Sequence, residues 1–262
     1  MIKMIDQIGH EVILSSPPKR IISVVPSQTE LLYDLDLNER VIGITKFCIH
    51  PKVWFESKQR VGGTKTLKLE LIDELAPDLI IANKEENTQE QIEHLQQNHA
   101  VYTSDINCLE DSLTMIQDLG VLTASQAMAN ELCNDINQAF ANIQPFLGER
   151  NKVLYLIWKS PHMSVGEDTF IHDMLLRCGL KNVLTSSTRY PEITPDTVKR
   201  INPHLVFLSS EPFPFSGKHI AEFEALFPKA KVQLVDGEYF SWYGSRLKGA
   251  PKYFVELLGK IQ

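Results

Sequence analysis

The chain has no apolar run approaching the ~18 residues that cross a bilayer, no polybasic stretch and no clustered cysteines. The first absence excludes a membrane-spanning helix, although hydrophobic residues make up 43% of the chain. The second excludes a nucleic-acid footprint, because 26 Lys and Arg stand against 33 Asp and Glu for a net charge of −7. Cys48, Cys108, Cys133 and Cys178 lie 60, 25 and 45 residues apart, so there is neither a CxxC pair nor a disulfide framework. Buried thiols are the expectation. Catalytic signatures are missing too: no GxSxG elbow, no HExxH and no GxGxxG after a strand. Gly62-Gly63-Thr64-Lys65-Thr66 has Thr64 where a phosphate loop needs glycine. Nothing here predicts an enzyme or a covalently held cofactor.

What is present is alternation. Apolar, β-branched runs at 20–25, 41–44, 78–82 and 100–102 read as buried strands, with helical stretches at 28–36, 69–76, 88–97 and 109–119 between them. Strand, helix, strand in that order predicts an α/β fold with a parallel sheet. A hairpin is expected from Ile5 to Leu14 around Gly9-His10. Ser27 followed by Glu30 predicts a capping box, with Pro26 holding the preceding residue extended.

From Thr123 to Leu147 the apolar positions Met128, Leu132, Ile136, Phe140, Ile143 and Leu147 recur at spacings of three and four, with Pro145 the first breaker. This predicts a long amphipathic helix of ~37 Å, either a rod joining two lobes or a surface helix of one domain. Alternation then resumes at 152–157, 169–177, 204–208 and 231–235. The two halves also match internally. Leu69 to Ile81 aligns with Pro195 to Phe207, each placing an acid, Glu70 or Asp196, seven residues before a proline that ends a short helix and feeds a strand. The expected organisation is an α/β lobe over 1–122, a linking helix over 123–147 and a second α/β lobe over 148–262.

Pro18-Lys19-Arg20-Ile21-Ile22-Ser23-Val24-Val25-Pro26-Ser27-Gln28-Thr29-Glu30, Val41-Ile42-Gly43-Ile44-Thr45, Val61-Gly62-Gly63, Ala76-Pro77-Asp78-Leu79-Ile80-Ile81 and Trp242-Tyr243-Gly244-Ser245-Arg246 resemble class III solute-binding proteins. These are the vitamin B12 and ferric-siderophore receptors of ABC importers, also called helical-backbone metal receptors, and the resemblance runs along essentially the whole chain. It implies two Rossmann-like lobes with mainly parallel sheets joined by one long helix, with a ligand cleft between the lobes. It also implies a monomer that meets an ABC permease through one acid per lobe, here Glu70 and Asp196, the second being Asp where the family usually has Glu. An acid at a helix start equally serves the helix dipole, and Thr194-Pro195-Asp196 is a sound cap.

Ligands of open α/β sheets lie beyond the carboxyl ends of the strands. Those segments supply Phe47, Asn83, Lys84, Trp158, Lys159, His162, Met163, Tyr239, Phe240, Trp242 and Tyr243, with Lys65, Arg189, Tyr190 and Arg246 nearby. Aromatic faces suit a macrocycle or catechol rings, and Arg and Lys suit an anionic chelate. Vitamin B12 receptors carry tryptophans where Thr64 and Asn83 stand here, so the implied ligand is a corrinoid, a ferric siderophore or a haem-like chelate. Arg189 and Arg246 tilt the expectation towards an anion. Trp242-Tyr243 reads alternatively as a packed corner. No histidine set has metal-site spacing; His162 alone, in a predicted ligand loop, is a weak candidate for touching metal.

The amino terminus, Met1-Ile2-Lys3-Met4-Ile5-Asp6, lacks the apolar core of a secretory signal. The resemblance implies the periplasm or cell envelope, whereas a native full-length chain of this sequence is expected in the cytoplasm as a corrinoid or iron-chelate carrier or sensor. A redox enzyme of similar architecture is the third expectation, and scattered cysteines argue against its cluster.

Overall fold

The computed structural model describes residues 1–143 and 151–261. The chain divides into two compact units. The first comprises Met1–Ile106, Glu110–Ile136 and Tyr243–Arg246; the second comprises Asn107–Leu109, Asn137–Trp242 and Leu247–Gln262.

The first unit is built on a five-stranded parallel sheet in the order Gln59–Arg60, Val41–Ile44, Ile21–Ser23, Leu79–Asn83, Val101–Ser104. Its central strands are buried on both faces, which is why they read as unbroken apolar runs. The chain moves outward from Ile21–Ser23 to one edge, then crosses back to Leu79–Asn83. The switch point therefore lies where these two neighbouring strands end. Ile22, Val24, Ile80 and Ala82 pack on Ile72, Ile92 and Leu95 of the covering helices.

The hairpin pairs Ile2–Ile5 with Glu11–Leu14, so its first strand begins earlier than the turn signal alone indicated. Asp6 fastens it. One carboxylate oxygen accepts from the Ile8 and His10 amides at 3.1 and 2.7 Å, and the other accepts from Thr103 on the edge strand at 3.0 Å.

The second unit carries Lys152–Trp158, Leu205–Ser209 and Lys231–Val235 as parallel neighbours. Beside Lys152–Trp158 run the short strands Lys181–Asn182, parallel to it, and Met163–Ser164, antiparallel. The internal repeat is reproduced in hydrogen bonding. The Asp78 amide donates to the Arg20 carbonyl and the His204 amide to the Lys152 carbonyl, both at 2.8 Å. The side chains at the same two positions also accept from the start of the neighbouring strand, Asp78 from the Lys19 and Arg20 amides and His204 from the Lys152 amide.

Two local expectations are corrected. The capping box at Ser27 and Glu30 does not form: the helix Pro26–Asp34 begins at the proline, its cap position is Val25, and no side chain caps it. The helix expected from Thr123 begins at Gln126 and is described to Ala141, ~24 Å at 1.5 Å per residue. Leu147 and Pro145 lie outside the described residues. The preceding helix, Leu109–Thr123, ends in a turn at Ala124, whose φ of 56° is left-handed. The Thr123 hydroxyl bonds back to the Leu119 carbonyl at 2.6 Å, and the Ser125 amide donates to Gly120 at 2.8 Å. A break was expected between 119 and 123, beside Gly120; the structure places it at Ala124 and Ser125, because the alanine and not the glycine takes the left-handed position.

Candidate functional site

At the carboxyl ends of the first sheet a buried polar frame shapes the loops. The Asn83 side chain, 1% exposed, donates to the Ser104 carbonyl and hydroxyl at 3.1 and 3.0 Å, while its oxygen accepts from the Glu85 and Glu86 amides. Asn87 accepts from the Asn83 amide and donates to the carbonyls of Val24 and Thr64. Asn83 thus holds the switch-point loop and is not presented for a ligand, contrary to the expectation, because its amide is consumed by backbone that would otherwise be unsatisfied. Around this frame, Lys65 donates to the Glu85 carbonyl, and Lys84 pairs with Asp105 at 2.5 Å. Burial raises the Glu86 carboxyl above its ordinary value, and the Lys65 charge opposes that rise. Phe47, 51% exposed, offers its ring to solvent with Lys46 over it.

The segment Tyr243–Arg246 belongs to this first unit. Gly244, at φ 118°, lets the backbone lie against Leu31 and the Ser27 carbonyl. Arg246 then grips Glu30 with two bonds of 2.9 and 2.6 Å. Burial raises the Glu30 carboxyl, and the Arg246 bond and charge counter it. Glu30, read from sequence as a capping residue, is the partner of an arginine 216 positions away.

In the second unit the loop after Lys152–Trp158 carries Lys159 and His162, and the segment after Leu205–Ser209 carries Phe213 and Phe215. These join Glu222 and Phe223 from the helix Ile220–Leu226. Lys159 pairs with Glu222 at 2.5 Å, and His162 Nε2 lies 3.7 Å from the other Glu222 oxygen. His162 also packs on the Phe223 ring, and its Nδ1 is buried without a hydrogen-bond partner. Trp158, 39% exposed, meets Phe213 edge to face, and Phe213 and Phe215 both pack on His219. Met163 is half-buried opposite Trp158 in the antiparallel pair.

Other expected ligand residues are placed differently. Phe240 is 0% exposed and packs against Tyr155, Phe207 and Phe254, so it is core rather than ligand surface. Trp242 and Tyr243 are buried as well, which fits the packed corner. Tyr239 stacks on Tyr253 with ring centroids 4.5 Å apart. Arg189 is exposed, has a left-handed φ of 56°, and lies 6.0 Å from the Tyr190 ring centroid. Glu222, Phe213 and His219 were not nominated from sequence. The signal was the Phe213-Pro214-Phe215 run directly after a buried strand.

The two acids paired by the repeat are both exposed and both open short helices. Glu70 lies in the first turn of Leu69–Leu75. Asp196, with a 92% exposed side chain, lies in the first turn of Pro195–Arg200, where Thr194 caps the Thr197 amide and Lys199 approaches Asp196 at 3.3 Å. Among the described residues no group of three or more His, Cys, Asp or Glu could hold a metal ion, and no helix is long and apolar enough to cross a membrane.

The model of the periplasmic binding protein family matches residues 21–227. A vitamin B12-binding protein of Vibrio parahaemolyticus is 26% identical over 199 residues, covering 74% of this chain and 72% of that one. Among solved structures, a periplasmic haem-binding protein from Pseudomonas aeruginosa superposes with a TM-score of 0.78 at 20% identity, covering 93% of this chain and 92% of that chain. An Fe3+-hydroxamate transport protein from Saccharomonospora viridis superposes at 0.76 and 18% identity over 98% and 99%.

Proposed function

Because the chain belongs to the periplasmic binding protein family, we propose that it is the substrate-binding component of an ABC importer, capturing a corrinoid or iron chelate and delivering it to a permease. The observation that carries this reading is the family match across residues 21–227, which spans most of both α/β units. Relatives and structural neighbours are named for vitamin B12, haem and Fe3+-hydroxamate, all metal chelates. Members of this family are solute-binding transport proteins rather than enzymes, and they are periplasmic or lipoprotein binding proteins.

On the first unit Phe47 offers an exposed apolar face, and on the second Trp158, His162 and Met163 offer apolar area with polar tips, each suited by itself to the flat body of a chelate. Tyr190 and Arg189 extend that surface on the second unit. Glu70 and Asp196 are the permease contacts. A helix that feeds a parallel strand runs back along its sheet, so its first turn sits towards the carboxyl ends of the strands, on the same end as the ligand loops. One exposed acid per unit lets a permease read both units through charge-assisted bonds. The protein acts as a monomer in this scheme.

Calorimetric titration with cyanocobalamin, haem and ferric siderophores tests capture. Tight one-to-one binding of one class is expected, and silence across the set overturns the reading. Glu70→Arg combined with Asp196→Arg is expected to keep ligand affinity within about threefold while abolishing uptake, since exposed charges away from the ligand act on docking. Surviving transport would remove the docking assignment and leave capture standing.

A further inference from the structure

The sequence contains no run of cations, yet residues 46–68 hold six of its 26 Lys and Arg and one of its 33 Asp and Glu. The fold of the first unit gathers these cations along one edge of its sheet. Gln59–Arg60 is the edge strand, paired with Val41–Ile44. The Lys46 amide continues that pairing by donating to the Gly62 carbonyl at 2.8 Å, and the Lys68 amide donates to the Val61 carbonyl at 2.9 Å. A Cβ on Gly63 would meet the Lys46 and Phe47 side chains at 3.3 and 3.2 Å. The hairpin of Gly62–Gly63 and Thr66–Leu67, with Lys65 in its turn, therefore lies directly beside them. Lys58 and Arg60 sit 5.2 and 4.4 Å from the ring centroids of Trp54 and Phe55, against the short helix Lys52–Ser57.

Elsewhere Lys3, Lys84, Lys159, Arg177 and Arg246 are paired with carboxylates. Among the described residues, Lys52 is the one Lys or Arg of this edge with a carboxylate in salt-bridge range, Glu56 at 3.6 Å, and both side chains are highly exposed. Ile49 and Val53, 46% and 54% exposed, stand in the same stretch. Cations interleaved with exposed aliphatic side chains suit a bilayer surface. Lys and Arg reach phosphate headgroups on long apolar stems, while aliphatic groups enter the acyl boundary. A water-soluble polyanion would use the charges and leave Ile49 and Val53 in water. The chain's net charge of −7 opposes approach to an anionic bilayer, so adhesion has to come from a local surface. We propose that this edge of the first unit binds anionic phospholipid headgroups and holds the protein at the membrane surface. Lys68 lies just before Glu70, the proposed permease contact, so the edge adjoins the part of the unit that meets a membrane-embedded partner. The inference goes beyond the receptor reading and needs no bound chelate.

The test is cosedimentation of the intact chain, without chelate, with vesicles of phosphatidylcholine alone and of phosphatidylcholine mixed with phosphatidylglycerol, at low and high salt. Binding to the mixed vesicles at low salt, lost at high salt and absent from phosphatidylcholine alone, is expected. Lys46→Gln, Lys52→Gln and Lys68→Gln combined are expected to weaken binding about a hundredfold, each cation accounting for about fivefold. Lys181→Gln, Lys218→Gln and Lys252→Gln combined make the same change in net charge at exposed sites of the second unit, and are expected to leave binding within about twofold. Ile49→Ser with Val53→Ser is expected to weaken binding severalfold while the salt dependence stays as in wild type. Circular dichroism checks that each variant is folded. No binding to the mixed vesicles, equal binding to both vesicle types, or equal losses in the two lysine triples would overturn the inference. Undiminished binding by the aliphatic variant would reduce the edge to a general polyanion surface and would overturn it too. None of these outcomes touches the chelate titration, which tests the receptor reading separately.

Discussion

Trp158 and Trp242 look alike in sequence, each following a buried strand or turn, and the structure separates them. Trp242 is 7% exposed, so truncation removes a large packed side chain; Trp242→Ala is expected to cost about 3–5 kcal/mol in urea unfolding. Trp158 is 39% exposed and meets Phe213 edge to face. Trp158→Ala is therefore expected to cost about 1 kcal/mol or less of stability, while chelate affinity falls about tenfold or more if the ring forms ligand surface. Equal losses of stability in the two variants would contradict this assignment. Sequence placed both tryptophans correctly relative to the strands, but whether an aromatic is covered depends on residues far along the chain. The same holds for Glu30: three residues after Ser27 it matches a capping box, and only Arg246, 216 positions away, explains its use.

Elements whose cause is local were legible. The longer parallel strands fell where β-branched runs predicted them, while the two-residue strands Gln59–Arg60 and Lys181–Asn182 were not foreseen; the helices Leu69–Leu75 and Pro195–Arg200 stop just before Pro77 and Pro203 as the repeat requires. The break between Leu109–Thr123 and Gln126–Ala141 was expected between 119 and 123, and its exact place was not legible because an alanine occupies the left-handed position that glycine usually marks. That alanine is strained, since its Cβ disfavours φ 56°. Ala124→Gly is expected to raise stability by about 0.5–1 kcal/mol, the relief of strain exceeding the added freedom of the unfolded chain. A lower denaturation midpoint would show that the turn tolerates alanine without strain. Conversely, Thr194→Ala is expected to cost about 1 kcal/mol, because the Thr194 hydroxyl accepts the Thr197 amide at 3.2 Å and nothing else caps that helix. Circular dichroism and urea midpoints check both.

At the scale of the whole molecule, each unit contains a phenol whose neutral form folding protects, and this ties the stability of both units to alkaline pH. Burial first, then the neighbouring Asp118, hold the Tyr102 hydroxyl well above the usual tyrosine range in the first unit. Burial does the same to Tyr155 in the second unit, against the lowering effect of its bond with Ser209, and pushes Tyr253 up to about 12. In the unfolded chain these groups lose protons near pH 10. A raised folded value means the folded state keeps protons that the unfolded state has released. The stabilisation is therefore complete below about pH 10 and is lost as pH climbs towards the folded values. By about pH 11.5 each of the deeply buried phenols, Tyr102 and Tyr155, removes about 2 kcal/mol, and Tyr253, being partly exposed, removes less. The urea midpoint is expected to hold steady up to about pH 10 and to fall steeply beyond it. Phenolate absorbance from the buried tyrosines should appear together with unfolding rather than before it. A midpoint that stays level to about pH 11.5, or phenolate signal from the buried tyrosines in the folded protein, would mean that these hydroxyls are reached by water and that the units are more open than their packing indicates.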